Sequence, residues 1–511
     1  MQEPPIAATP TARGAGLSRE VLLAAGASVL VAAVAAIVVG GPMDELCLDD
    51  AYIHMAYARS LRLGEGLSYN PGDWELGTTS PLWVLLLAIL PSLSVGWVKA
   101  LGVLLHALGA GVVSLTAAEL VVGTDPARTP HAPRIAALVA GALFALHPLL
   151  LHAATSGMEV PLVVLLSAGA TLATLRGALP LAAALAALSV WARLESIVPI
   201  TLLTLLVTVP AGRPRAWRLA PALGGIAGLA LLALYCELAQ GELLPNTVYL
   251  KARHDVVGGL AYLALRVLRH EGWLVTIAGA AIAGHFVSRE ARAGRASAAI
   301  LAGSWAITLV AIAVTRRLDL GIQFYGERYF AIAAFLPPLL VGAALACAPR
   351  PASLALVPIG IFLALALPDT QRAARAEERD IRLLHTEPAE WVGANLAPDA
   401  VVLVEGAGAM RFYTPRTMTI LDLVGLNDRL LAHTDGALWP CVWIARRPSH
   451  VAIPTELGPR MQEIFAMSLL ERRDDPAYSQ VLPASERSLF VLEVRGVTEA
   501  AVAQCSAALG P

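Results

Sequence analysis

Apolar runs separated by short polar breaks fill the chain as far as Pro368, after which the hydropathy collapses. The first run, 21–39, follows a polar, Pro- and Ala-rich tail and is long enough to span about 30 Å of hydrocarbon. It lacks a clear small-x-small cleavage site, so it reads as a retained first helix rather than a signal peptide. A polar interruption covers 41–80. Apolar runs then recur near 81–96, 98–122, 135–154, 159–175, 179–192, 195–210, 217–238, 272–288, 296–315, 329–347 and 352–368. From 370 onward the pattern alternates instead: 387–396 reads as a helix, and 400–405, 417–423, 450–453 and 488–494 read as strands. Gly and Pro stand at the turns between them. The expected organisation is a cytoplasmic tail 1–20, a multi-span α-helical membrane domain 21–369 whose first outer loop is 41–80, and an extracytoplasmic α/β domain 370–511.

Composition agrees with the pattern. Of 511 residues, 57% are hydrophobic and 15% charged, and the mean hydropathy is +0.65. A soluble domain usually carries about 25% charge. A net charge of −2 with no basic or acidic tail gives no sign of a nucleic-acid partner. The five cysteines contain no CxxC pair, so a zinc or thioredoxin reading fails on spacing. Cys441 and Cys505 both fall in the polar C-terminal part and are able to pair if it faces an oxidising compartment. The only lysines are Lys99 and Lys251, although the chain has 37 basic residues.

Arginine placement orients the helices. Arg13/Arg19, Arg128/Arg134, Arg213/Arg215/Arg218 and Arg289/Arg292/Arg295 belong to cytoplasmic loops, which puts 41–80, 156–159 and 241–271 outside. The counts agree only if 81–96 does not cross fully. About eleven true spans are therefore expected, with 81–96 re-entrant or interfacial, in a plasma (bacterial inner) membrane. Arg316 and Arg317 then fall outside, against the rule, which suggests a task for them there.

The outer side collects the chemistry. Leu48-Asp49-Asp50-Ala51-Tyr52-Ile53-His54 follows the first span. One of the two aspartates is expected to cap a helix ending near Gly64, where backbone N–H groups and the helix dipole keep a carboxylate ionised. Asp50 and His54, four apart, share a face. The bland alternative is a simple N-cap at the membrane surface. Glu159, in Ser156-Gly157-Met158-Glu159, opens an apolar helix and is expensive there unless paired. Arg193 and Glu195 sit in a short break and either pair with each other or line the same outer cavity. Lys251 and Arg253 run against the positive-inside rule, which fits an anionic ligand such as a lipid phosphate; the bland reading is a snorkelling pair. Arg328, beside Tyr329, either pairs with Glu327 or grips a phosphate as a planar fork.

Six short motifs, in order, resemble the GT-C superfamily of polyprenyl-phosphate-dependent membrane glycosyltransferases. That group includes protein O-mannosyltransferases, the aminoarabinose transferases of lipid A and mycobacterial terminal arabinofuranosyltransferases. The motifs are Asp49-Asp50-Ala51-Tyr52, Gly66-Leu67-Ser68-Tyr69-Asn70-Pro71-Gly72, Thr79-Ser80-Pro81-Leu82-Trp83, Ser156-Gly157-Met158-Glu159, Leu244-Pro245-Asn246-Thr247 with Lys251, and Arg328-Tyr329. Asp422, Gly425, Leu426 and Asp428 fit the family's C-terminal pattern. His54-Met55 and Gly77-Thr78 depart from it at positions able to alter acceptor choice.

The resemblance implies that Asp49 is the general base and that Asp50 assists or binds a metal or the acceptor. Lys251, Arg328 and Arg253 would hold the departing phosphate, while His54, Tyr69, Glu159, Arg193, Glu195, Asn246 and Tyr329 would line the pocket. Metal dependence stays open in such a family, with Asp49 and Asp50 as the ligands of any divalent cation. The expected reaction is a one-step, inverting transfer of a sugar from a polyprenyl-phosphate donor to a hydroxyl of a glycan, lipid or protein acceptor. The rival is a transporter or flippase of a lipid-linked or anionic substrate, whose paired halves and broken helices are not evident here. A membrane scaffold is the third reading, and the paired acids disfavour it.

Overall fold

The computed structural model describes residues 18–509, apart from 43, 122–130, 205–216, 218, 252–254, 268–291, 317–323, 348–355 and 482. The expected run 272–288 and the candidate Arg253 lie outside the described residues.

The apolar runs fold as helices. They begin with α1 (Arg19–Gly40), α2 (Asp49–Arg62), α3 (Pro81–Ala88), α4 (Val95–Val121), α5 (Ala132–Ala145), α6 (Pro148–Thr155), α7 (Val160–Leu175), α8 (Leu179–Ala192), α9 (Ile197–Leu203) and α10 (Ala220–Gln240). Then follow α11 (Asn246–Lys251), α12 (Val256–Tyr262), α13 (Arg292–Thr315), α14 (Phe324–Glu327), α15 (Leu336–Cys347) and α16 (Leu356–Ile381). Among the described residues, α1, α4 and α10 are long and apolar enough to cross a membrane. The pair α5–α6 qualifies as a fourth, bent by 57°. Pro148 opens α6, and the residue before a proline is driven out of the helical region, so His147 is extended and the run breaks there. Shorter apolar helical stretches among the described residues, Val160–Leu175, Leu179–Ala192, Val256–Leu265, Ala299–Thr315 and Phe330–Ala346, have 10–17 residues, short of the about 20 that a span needs. The multi-helix membrane architecture therefore stands, while these lengths do not reproduce a count of eleven. At eight residues, α3 is only about 12 Å long and does not cross.

Lipid-facing and packed sides are separable on the helices. On α1, Leu22, Leu23, Leu30, Val34 and Val38 are exposed, while Ala24, Ala25, Ser28, Ala32 and Ala36 are buried against neighbours. Small residues let backbones approach in a bilayer, where no hydrophobic force drives helices together. The same device joins α10 to α8. A Cβ on Gly224 would stand 2.2 Å from the Ala183 carbonyl oxygen, and one on Gly228 2.7 Å from that of Ala187.

The C-terminal region is an α/β domain whose five-stranded sheet has the order β2-β1-β3-β5-β4. The strands are β1 (Val401–Val404), β2 (Thr419–Asp422), β3 (His450–Pro454), β4 (Phe465–Tyr478) and β5 (Ser485–Val497). β1 runs parallel to β2 and β3, while β5 is antiparallel to β3 and β4. Four of these strands were expected from the sequence. β4 was not, because Glu471-Arg472-Arg473-Asp474-Asp475 hides its alternation. Between β1 and β2 lies α17 (Ala407–Tyr413), the parallel crossover. A disulfide joins Cys441 to Cys505, tying the helix Trp439–Ala445 to the terminal helix Glu499–Leu509.

The two halves are not separate bodies. α16 runs unbroken through the expected boundary at 369/370. One apolar cluster continues from Ala32, Val113 and Phe144 in the bundle to Val402, Met410 and Ala452 in the sheet domain. The loop 41–80 packs directly on α17, so it and the sheet domain occupy the same end of the bundle. Arg59 donates to the carbonyls of Phe412 at 2.6 Å and Arg411 at 2.7 Å. Tyr69 donates to Ala407 at 2.6 Å, and Asn70 Oδ1 accepts from Arg411 and from the Ile420 backbone at 3.1 Å each.

Candidate active site

The site starts at the first turn of α2. Neither aspartate caps it: Leu48 holds the N-cap position, with no side-chain cap bond. Instead the two neighbours point in different directions. The Asp49 carboxylate accepts the backbone N–H groups of Gly408 at 2.7 Å and Ala409 at 2.8 Å, at the start of α17. His385 Nδ1 stands 3.4 Å from Asp49 Oδ1. The Asp50 carboxylate turns toward the bundle, where Arg328 donates to it at 2.5 Å and Lys251 Nζ lies 3.9 Å away. Burial opposes the charge on Asp50, yet Arg328 and Lys251 outweigh it and hold the carboxyl well below the usual carboxylate range.

Docking at Asp49 depends on a missing side chain. A Cβ on Gly408 would sit 1.9 Å from the Asp49 carbonyl oxygen. Gly408→Ala should therefore loosen the interdomain contact by about 2 kcal/mol or more, lowering the melting temperature in detergent and opening 370–511 to protease. Gly458→Ala, where nothing lies within 4 Å of the added methyl, should leave both readings unchanged.

On the bundle side lies a pocket lined by Asp50, His54, Glu159, Arg193, Glu195, Lys251, Arg316, Arg328 and Tyr329. Arg193 bridges Glu159 and reaches Glu195 at 3.3 Å, and Arg316 pairs with Glu195. The alternatives open for Arg193 and Glu195 merge: they pair, and they line the cavity. His54 lies 3.7 Å from Glu159 and 3.1 Å from Thr78 Oγ1. Burial pushes its imidazole down, against the pull of Glu159 and Asp50. The Tyr329 ring is the centre of the cations: Arg193, Arg316, Arg328 and Lys251 stand 4.6, 5.3, 5.4 and 5.9 Å from its centroid. Its hydroxyl accepts from Lys251 at 3.2 Å. Among the described residues that line the pocket, four cations face three carboxylates.

On the other side of the aspartates a cavity of about 800 Å³ opens under the sheet domain, lined by Asp49, Asp50, His385, Glu405, Glu456 and Arg487 among others. Asp50 and Leu426 belong to both walls, so the two spaces meet at the aspartate pair. Two expected pocket residues are elsewhere. Tyr69 is fully buried in the loop–domain contact, and Asn246 is fully buried with its N–H donated to Leu76; the next residue, Thr247, lines the pocket.

Gly157, at φ +81°, explains how the Ser156–Glu159 turn reaches the site, because this backbone favours glycine. Its carbonyl accepts from the Trp83 indole at 3.1 Å, which places α3 beside the pocket. The oxygens of Asp49 and Asp50 face N–H donors and cations, whereas a hard divalent cation gathers oxygen ligands around itself. This donor set does not fit a metal held by the two aspartates.

His385, Glu405, Glu456 and Arg487 were missed in the sequence. They come from the sheet domain and the approach to it, 336 or more positions from Asp49, with no local motif. His385 sits on a one-turn π-helix, Arg382–Thr386, a distortion frequent at functional sites. Burial lowers its pKa, but Asp49 overrides that and raises it above the ordinary 6.5. A raised folded value means that its stabilisation is fully present below the unfolded pKa and is lost as pH rises through the folded one. The melting-temperature advantage of the wild type over His385→Gln should thus be larger near about pH 6 than near about pH 8. Equal advantages at both would show that the Asp49–His385 charge pair contributes nothing.

Comparison with known proteins places this geometry in a known architecture. The ArnT structure from Cupriavidus metallidurans in the apo state superposes with a TM-score of 0.58 at 15% identity, covering 92% of this chain and 97% of that one. The same protein bound to undecaprenyl phosphate gives 0.54 at 14% identity, with the same coverage. Arabinofuranosyltransferase AftD from Mycobacteria gives 0.48 at 16% identity, covering 95% of this chain and 42% of that one. Residues 372–487 match the family described as Domain of unknown function (DUF8728). No curated protein matches the sequence. The ArnT likeness shows the fold: a GT-C membrane architecture, as the motifs implied.

Proposed function

We propose that this chain is an inverting glycosyltransferase that moves a sugar from a polyprenyl-phosphate donor to an acceptor hydroxyl at the extracytoplasmic face of a bacterial inner membrane. One observation carries the reading: Asp50, held by Arg328 and Lys251, stands between a cation-rich pocket and a roomy cleft bordered by Asp49. The ArnT complex with undecaprenyl phosphate supports a donor of that chemistry. The Cys441–Cys505 disulfide supports an oxidising compartment for the sheet domain.

In the resting site Asp50 occupies the cations. An arriving donor phosphate competes for the Arg328 fork and for Lys251, and Arg193 and Arg316 add to the field around Tyr329. The acceptor hydroxyl enters through the cleft. Its oxygen attacks the anomeric carbon while Asp49 takes its proton. The bond from that carbon to the phosphate oxygen breaks, its electron pair leaves with polyprenyl phosphate, and configuration inverts. Fixed cations aimed at the leaving oxygen stabilise the charge as it develops.

The cleft also bears on the acceptor. Asp49, Asp50, Glu405, Glu456 and Glu486 face it against Arg487 and His385, and Arg487 is already paired with Glu456 at 2.8 Å. An excess of carboxylates repels anionic acceptors and suits a neutral polyhydroxyl glycan. The test uses full-length protein in detergent with a radiolabelled polyprenyl-phosphate sugar and two acceptors, a neutral oligosaccharide glycoside and an anionic phosphoglycolipid. Label transferred to the neutral glycoside, with release of polyprenyl phosphate, is the expected result. Movement of intact donor across a proteoliposome without bond cleavage would establish the transporter instead.

A further inference from the structure

We propose that Cys47, His152 and Glu377 form a binding site for a zinc-type divalent ion, separate from the sugar-transfer site. The three come from distant parts of the chain: the loop before α2, α6 and α16. All are buried, at 0%, 6% and 2% exposure. One sulfur, one imidazole nitrogen and one carboxylate oxygen lie within 4.8 Å of one another, and His152 Nε2 stands 2.9 Å from Glu377 Oε2. No spacing rule along the sequence could have found them.

The donor set selects the metal. Thiolate, imidazole and carboxylate together are ligands of zinc, whereas calcium and magnesium take oxygens alone. Zinc bonds of about 2.0–2.3 Å place tetrahedral donors roughly 3.3–3.8 Å apart, so the side chains need close in by only a little. Charge balance agrees. The adjacent Glu378 is taken by Lys99 at 2.5 Å. Thiolate and Glu377 together carry two negative charges, a neutral His152 adds none, and a divalent ion cancels them. Binding thus leaves no net charge in a buried place, where an unbalanced one is costly. The ion displaces one proton from the Cys47 thiol and, if His152 is protonated, one from its imidazole; no oxidant or reductant is involved.

Position gives the site a role. Cys47 is two residues before Asp49, and α16 leads from the membrane into the sheet domain. The ion would fix the approach to the aspartate pair against the helix whose last residue, Ile381, lines the cleft. The three ligands are positioning residues, touching neither donor nor acceptor.

The test measures zinc in full-length protein purified in detergent from zinc-supplemented cells. About one ion per chain is expected, falling toward none in Cys47→Ala and Glu377→Gln and unchanged in Asp49→Asn. Cobalt substitution of the wild type should give a thiolate-to-cobalt charge-transfer band and the intense visible bands of a tetrahedral centre. That reading stands even if the variants fail to fold. Wild-type protein with no tightly held metal and no cobalt–thiolate band, or Cys47→Ala protein that retains its full zinc, would overturn the proposal. Because these readouts need no turnover, they are decided independently of whether the chain transfers sugar.

Discussion

Asp49→Asn should abolish sugar transfer while leaving donor binding intact. Loss of a positioned general base typically removes about 10²–10⁴-fold in rate, and the fall should appear in kcat. Binding of undecaprenyl phosphate, the probe for the donor side, should persist because the cations pair with Asp50 and not with Asp49. The substitution also touches the fold. Asp49 accepts two backbone N–H groups through its two oxygens. An amide offers one oxygen and turns its own N–H₂ on the other donor, costing about 1–3 kcal/mol. A melting curve must therefore accompany the assay. Full turnover in a folded Asp49→Asn protein would remove Asp49 from the mechanism and pass the base role to Asp50.

Arg328→Ala should be the most damaging change on the donor side. The Arg328 side chain is 2% exposed and is the closest partner of Asp50. Deleting it removes the planar fork proposed to grip the phosphate, for which a fall of about 10²–10³-fold in kcat/KM for the donor is expected. It also leaves Asp50, among the described residues, with Lys251 at 3.9 Å, and breaking a buried pair costs about 3–5 kcal/mol. Asp50 has a depressed folded pKa. Its contribution is present above the unfolded carboxylate value and is lost as pH falls through the folded one. Without Arg328 the folded value rises, so that loss should begin at higher pH and the acid limb of the stability profile should move up. Arg328→Lys keeps the charge without the fork and should recover only part of the donor kcat/KM. An acid limb and a donor kcat/KM that do not move in Arg328→Ala would separate Arg328 from both Asp50 and the phosphate.

Much of this was legible in the sequence because membrane chemistry is strict. A carboxylate or guanidinium beside an apolar run must find a partner, so Asp50, Glu159, Arg193, Glu195, Lys251 and Arg328 stood out singly, and the structure brings all six to one pocket. Arg316 was flagged only as a cation on the wrong side; its partner, Glu195, is 121 positions away. Tyr69 shows the opposite error. The resemblance implied a pocket residue there, yet the side chain is fully buried and its hydroxyl donates to the Ala407 carbonyl. The division of labour between Asp49 and Asp50 was beyond any local reading, because adjacent residues on a helix point about 100° apart and what each then meets is set by α17 and by Arg328. His385 and the cleft acids were invisible for the same reason. Helix lengths failed where prolines such as Pro148 cut one apolar run into two elements.

The continuous apolar cluster that joins bundle and sheet also constrains how such a protein changes over generations. The sheet domain has a second apolar cluster of its own around Trp443, Ile453 and Met461, but the face turned to the bundle is covered by the shared one. Here a swapped outer half would arrive without the complementary surface beneath it, and Arg59, Tyr69 and Asn70 would lose the backbone groups they hold. If the proposed cleft takes the acceptor, new preferences would therefore arise more readily through single substitutions along it than through exchange of the whole sheet domain.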